Sequence, residues 1–183
     1  MTKKRIPKAA LTGIILAVLF LAAFGIRSTV EKLPGVSQYY QETYRDAEGL
    51  PYLTDMDSYY HVRITEDLAD HGYFGDKLTE NGEPWDMHSL SPTGRTAKYA
   101  PAIGVVTLAF QKIFSLTFGS AVFWVGAVVA SLVVVPAYLL VSRLTNPIGG
   151  ITAAVAIGLS RYYFSRTVPG VFDTDMFSLL LPL

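Results

Sequence analysis

Asp55-Met56-Asp57 and Asp173-Thr174-Asp175 are two short acidic motifs, each set against apolar sequence that reads as membrane. Carboxylates beside a bilayer are costly to desolvate and usually serve an ion, a proton or a phosphate-bearing ligand. An Asp-x-Asp pair offers hard oxygen ligands of the kind that hold Mg²⁺ or Mn²⁺ against a diphosphate. The chemistry implied is that of a membrane enzyme handling an activated, phosphate-linked substrate.

The elements that must position these motifs follow from where charge and apolar runs fall. Of the 183 residues 51% are hydrophobic and 16% charged, the net charge is zero, and there is no cysteine. Lys3, Lys4, Arg5 and Lys8 precede the first apolar run, and beyond Asp86 the acidic residues are Asp173 and Asp175 alone. The lack of cysteine excludes a disulfide scaffold and thiolate metal ligands. There is also no glycine-rich phosphate loop, no defensible Ser/His/Asp set and no basic stripe suited to nucleic acid.

The predicted organisation is a cytoplasmic N-terminus (1–8), a first transmembrane helix (9–26), a large external loop (27–120), a second span (121–141), a cytoplasmic loop (142–147), a third span (148–163), a second external loop (164–175) and the start of a fourth span (176–183). A span needs roughly 20 apolar residues, and the basic N-terminus stays inside by the positive-inside rule. A cleaved signal peptide would use the small residues at Ala23-Phe24-Gly25, but the further spans favour an uncleaved anchor. The apolar run ending at Leu183 has too few residues after Met176 to cross, so the chain reads as a fragment of a longer protein.

Topology decides whether the two motifs share a face. Residues 101–118 are apolar but interrupted by Gln111 and Lys112. As a span, that run would put Asp173 and Asp175 opposite Asp55 and Asp57. As an interfacial helix it puts both motifs outside, and the short link Phe118-Gly119-Ser120 favours this. Within the first loop, Ser58 to Asp70 has helical periodicity, with Gly72 placed to end it and Asp57 at its start as a candidate cap. Asn81-Gly82-Glu83-Pro84 and Ser91-Pro92-Thr93-Gly94 are turn signals. The tyrosines from Tyr39 to Tyr60 suit interfacial anchoring or packing better than a substrate groove.

Residues Ser165-Arg166-Thr167-Val168-Pro169-Gly170-Val171-Phe172-Asp173-Thr174-Asp175-Met176 resemble the second acidic motif of the oligosaccharyltransferase catalytic subunit, in its single-subunit bacterial and archaeal form. Thr54-Asp55-Met56-Asp57-Ser58-Tyr59-Tyr60-His61-Val62-Arg63 is similar to that family's first external loop, and the resemblance extends over the whole layout of the chain. It implies an α-helical polytopic membrane protein of the GT-C glycosyltransferase type in the plasma membrane, with its active site on the external face. The implied reaction moves a glycan from a polyprenyl phosphate or diphosphate carrier to the Asn amide of Asn-x-Ser/Thr, with Mn²⁺ or Mg²⁺ as cofactor.

The same resemblance implies Asp57 and Asp173 as metal ligands, with Asp175 binding metal or supporting a ligand. Asp57 would be catalytic through the metal, and Asp55 would support it or lie near the acceptor. Arg166 would pair with Asp175 or a phosphate, its plainer role being an interfacial arginine. His88 would approach the donor or metal, its plainer role being an exposed loop histidine. A further acidic ligand and a tryptophan-rich domain that reads the acceptor Ser or Thr are expected in later parts of the parent protein, so the 183 residues alone should be inactive and bind metal poorly.

The rival enzyme reading is another GT-C transferase, such as a protein O-mannosyltransferase or a lipid-sugar transferase, and the Asp-Thr-Asp motif after the third span argues against it. A cation-binding transporter would place acidic residues within the spans, and 121–141 and 148–163 contain none. A membrane anchor with an external binding module leaves the Asp173 motif without a purpose.

Overall fold

The computed structural model describes residues 7–97 and 102–182; expectations for Lys3, Lys4, Arg5, Pro101 and Leu183 fall outside these residues. In chain order the elements are α1 (Lys8–Ser28), α2 (Gln38–Gln41), α3 (Met56–His71), β1 (Lys77–Leu78), β2 (Pro84–Asp86), β3 (Arg95–Thr96), α4 (Ala102–Phe114), α5 (Phe118–Ser131), α6 (Val134–Leu144), α7 (Pro147–Gly158) and α8 (Arg161–Ser165). They form two compact units. One comprises Met1–Val36, Gly126–Pro169 and Thr174–Leu183, and the other Ser37–Val125 with Gly170–Asp173.

Among the described residues, two helical stretches are long and apolar enough to cross a bilayer: Lys8–Lys32, with 25 residues, and Phe118–Leu144, with 27. At about 1.5 Å per residue each exceeds a hydrocarbon core of roughly 30 Å. The second stretch is not one uninterrupted α-helix. Pro136 has no N–H to give the carbonyl of Leu132, and its ring crowds that carbonyl. The chain responds at 132–135 with tighter bonds, from Val133 N to Ala130 O (3.2 Å) and from Val135 N to Leu132 O (2.9 Å), before α6 continues.

In the first unit α1, α6 and α7 pack together. Asn146 starts α7 by accepting hydrogen bonds from the N–H groups of Ile148 and Gly149, both 3.0 Å, with Pro147 in the first turn where its missing N–H costs nothing. Gly150 lets the two helices approach closely: a Cβ there would lie 2.8 Å from Ser142 Cβ and 2.9 Å from Tyr138 O. The helix expected over 148–163 is divided. α7 stops after 12 residues at Gly158, whose carbonyl accepts from Arg27 Nη2 (2.8 Å), and α8 begins only at Arg161. Residues 176–182, expected to open another long helix, instead end a 3₁₀ helix at Thr174–Phe177 and continue as turns. Ser178 donates through both N and Oγ to Asp175 O, and Leu181 N donates to Phe177 O at 3.1 Å.

The second unit places α3 against α4. Gly104 of α4 sits so near α3 that an added Cβ would meet Leu68 Cδ2 at 3.2 Å. α4 is shorter than the 101–118 expected, ending at Phe114 before Ser115 at φ +52°. The antiparallel sheet has the order β1-β2-β3, and both predicted turns connect its strands.

A salt-bridge network pins the sheet to α3. Asp86, whose side chain is 1% exposed, accepts from Arg63 Nη2 (2.8 Å), from the N–H groups of His88 (3.0 Å) and Ser89 (3.1 Å), and from Ser89 Oγ (2.5 Å). Burial alone would raise its pKa, but the Ser89, Arg63 and His88 donors together outweigh it and hold the carboxyl below its ordinary value. The unfolded chain therefore takes up this proton more readily than the fold does. Asp86 stabilises the fold fully above about pH 4, and that contribution is lost as pH falls through its lower folded value. Asp86→Ala should cost about 2–4 kcal/mol near neutrality and flatten the acid limb of a stability-against-pH curve; an unchanged acid limb would contradict this.

Candidate functional site

Asp55 has extended backbone (φ −140°, ψ 157°), and its Oδ1 accepts from Asp57 N (2.9 Å) and Ser58 N (3.2 Å). This is the N-cap of α3. It corrects the sequence expectation that Asp57 caps the helix. Asp57 lies one residue inside α3, in the positive first turn, with its side chain exposed. The helix ends where expected, at Gly72 with φ +77°.

The Gly170–Asp173 segment returns to the start of α3. Gly170 accepts from Thr54 N (3.1 Å) and donates to Phe123 O (3.1 Å). Its φ of +85°, and Phe123 Cε2 only 3.1 Å from where a Cβ would stand, explain why glycine is needed here. Phe172 N donates to the buried Ser58 Oγ at 2.9 Å, a link between residues 114 apart in the chain. The Thr54 and Ser58 bonds tie the segment that carries Asp173 to the turn that presents Asp57, and the Phe123 bond ties it to α5.

Asp57 and Asp173 line the same open pocket of roughly 510 Å³, with Tyr60, His61, Ser89 and Arg95. Three of these are residues that sequence reasoning missed. His61 is buried on α3, with Nε2 3.3 Å from Asp173 Oδ1. Its spacing from Asp57, one helical turn, was a readable signal, but its partner is far away in sequence. Arg95, opposite Asp86 on the β2–β3 ladder, adds a cation to the pocket wall, and Ser89 follows the tight Asp86 turn.

The remaining predicted residues lie elsewhere. His88 is 66% exposed and its Nδ1 is 2.9 Å from Asp76 Oδ1, in the Asp86–Arg63 network, and it is not part of that pocket's lining. Asp76, Asp86 and His88 lie close enough to share an ion, but Arg63 already supplies positive charge to both carboxylates, at 3.5 and 2.8 Å. In the other unit Arg166 Nε donates to Asp175 Oδ2 at 2.7 Å, so of the partners considered for Arg166 the structure provides Asp175.

As a metal site, the Asp57–Asp173 pair presents hard carboxylate oxygens to one pocket, which fits Mn²⁺ or Mg²⁺ by donor type. Two protein carboxylates are also a usual complement for a cation that keeps waters and substrate phosphate as its other ligands.

Two helical stretches are long and apolar enough to cross a membrane, and two carboxylates line one pocket. Comparison with known proteins gives the family: residues 6–183 match the model of the family described as oligosaccharyl transferase STT3, N-terminal, and the chain belongs to that family of membrane glycosyltransferases. It is 32% identical to the dolichyl-phosphooligosaccharide-protein glycotransferase of Methanococcus voltae, covering 94% of this chain and 20% of that protein. It is 31% identical to the protein of the same name from Methanocaldococcus jannaschii, covering 91% and 19%. Similarity to the undecaprenyl-diphosphooligosaccharide–protein glycotransferase of Campylobacter jejuni is 32% over 85 residues, or 46% of this chain and 12% of that one. The chain thus spans about a fifth of the length of its archaeal relatives.

Proposed function

We propose that this chain supplies the donor-side carboxylates of an oligosaccharyltransferase, which transfers a glycan from a polyprenyl-linked phosphate or diphosphate to the Asn amide of Asn-x-Ser/Thr. The observation that carries this reading is the convergence of Asp57 and Asp173 on one pocket. The activities for which the archaeal and Campylobacter relatives are named support the substrate classes: a lipid-linked oligosaccharide and a protein acceptor.

The chemical difficulty is a poor amide nucleophile set against a charged leaving group. Asp57 and Asp173 would hold a Mn²⁺ or Mg²⁺ ion, which when bound supplies positive charge against the departing phosphate. Asp55 caps α3 and thereby directs Asp57 into the first turn. Arg95 lines the same pocket, and its planar guanidinium fork would suit phosphate oxygens. Asp175, bound to Arg166, steadies the chain that follows Asp173 within its own unit. In this reading the protein is a multi-pass plasma-membrane protein with the pocket on the external face; the two apolar stretches of bilayer length support its membrane character.

The test uses the full-length parent, purified with a lipid-linked glycan and a fluorescent Asn-x-Thr peptide. Glycopeptide should form with Mn²⁺, cease with a chelator and return when Mn²⁺ is restored. Undiminished transfer in excess chelator would remove the metal from the proposal. No transfer by a folded preparation under any metal would remove the activity.

A further inference from the structure

His61 has the chemistry of a ligand-orienting residue but sits behind the carboxylates. Its side chain is 4% exposed, the ring packed edge-on against Phe172 with centroids 6.3 Å apart and against Tyr60 at 5.7 Å. That packing fixes the plane of the imidazole, and Nε2 then lies 3.3 Å from Asp173 Oδ1. The backbone on either side is also restrained, by the Ser58 Oγ bond to Phe172 N and by Thr65 Oγ1 donating to His61 O at 2.7 Å. A polar ring buried this deeply against apolar neighbours, with one nitrogen directed at a carboxylate, is built for a single orientation.

We propose that His61 is the positioning residue for Asp173, taking Oδ1 through Nε2–H and so setting how that carboxylate meets a divalent cation. The proposal rests on the ion-site reading of Asp57 and Asp173. Metal-ligating carboxylates are themselves held by hydrogen-bond donors, and loss of such a donor typically weakens metal binding about 10–100-fold. Because His61 and Asp57 sit one turn apart on α3, the same helix sets both carboxylates: one directly, the other through the imidazole. A static helix face thus replaces a loop as the reference for the pair.

The experiment measures Mn²⁺ binding to the full-length enzyme by the loss of the free-ion paramagnetic resonance signal, without donor or peptide. His61→Phe keeps an aromatic ring in the packed slot and removes the donor. Its Mn²⁺ affinity should fall about 10–100-fold while its melting temperature without metal stays near wild type. His61→Gln, whose terminal N–H reaches as far as Nε2, should recover most of the affinity, whereas the shorter His61→Asn should not. Asp173→Ala is the reference for the reading beneath. If Asp173→Ala weakens binding and His61→Phe does not, the positioning role is wrong and the ion site stands. If Gln and Asn behave alike, the role of the donor is refuted even where Phe unfolds the protein. If Asp173→Ala leaves Mn²⁺ binding unchanged, the ion-site reading fails first and takes the role of His61 with it.

Discussion

Asp57→Ala or Asp173→Ala in the intact enzyme is expected to lower glycopeptide formation by at least about a hundredfold, leaving the fold in place. The magnitude follows from removing one preorganised charge at a site where charge develops on the leaving group, an effect of order 10²–10³ in rate. The fold should survive because neither carboxylate is a helix cap. Asp55 has that task, accepting from Asp57 N and Ser58 N. Asp55→Ala should behave differently: it costs about 1 kcal/mol of local stability and disturbs Asp57 only indirectly, so its activity should fall less. Parallel assays of the three variants, with circular dichroism to confirm helicity, check this ordering. An Asp55→Ala loss larger than that of Asp57→Ala would reverse the assignment.

The second large effect is expected at Arg27, near the end of α1. Its side chain is fully buried, and it donates to Gly158 O (2.8 Å), Ala23 O (3.2 Å) and Thr167 Oγ1 (3.3 Å). The guanidinium also lies over the rings of Tyr163 and Phe164, at 5.6 and 5.3 Å from their centroids. Tyr163 Oη in turn donates to Ala130 O (3.3 Å) and Met176 O (3.1 Å). One side chain therefore joins α1, the end of α7, the Thr167 segment and, through Tyr163, the 3₁₀ helix that carries Asp175. Arg27→Met fills similar space but leaves the Gly158 carbonyl and Thr167 hydroxyl without that partner. A loss of about 1–3 kcal/mol is expected from the unsatisfied Gly158 carbonyl, seen as a lowered melting temperature in detergent. Arg27→Lys should rescue little, because a single ammonium cannot supply the planar fork or the ring stacking. Melting of Arg27→Met within a degree of wild type would contradict this account.

Several features were legible in residues alone because they rest on local physics. Gly72 at φ +77° ends α3 as its position suggested, and both turn signals in the first loop join strands. The two acidic motifs stood out because carboxylates beside apolar runs are costly. Other features depended on neighbours. Nothing near His61 in sequence names Asp173, and the Arg63–Asp86 pair joins a helix to a strand 23 residues away. The carbonyl at the end of α7 is engaged by Arg27, 131 residues distant. Pro136 is the opposite case: its effect on the Leu132 carbonyl follows from the sequence, but an apolar run of bilayer length hides it. The choice between Asp55 and Asp57 as cap turned on two residues, about the usual error in placing a helix end.

The central claim is that Asp57 and Asp173 act on one ion in one pocket, and a double-mutant cycle tests it most directly. Single-turnover glycopeptide formation would be measured for Asp57→Asn, Asp173→Asn and the double variant, at saturating Mn²⁺. Residues that act as a unit lose grossly less together than the product of their separate losses. The double variant is therefore predicted to be no slower than about threefold below the worse single variant. Losses that multiply, giving the product of the two single effects, would show two independent sites and contradict the account.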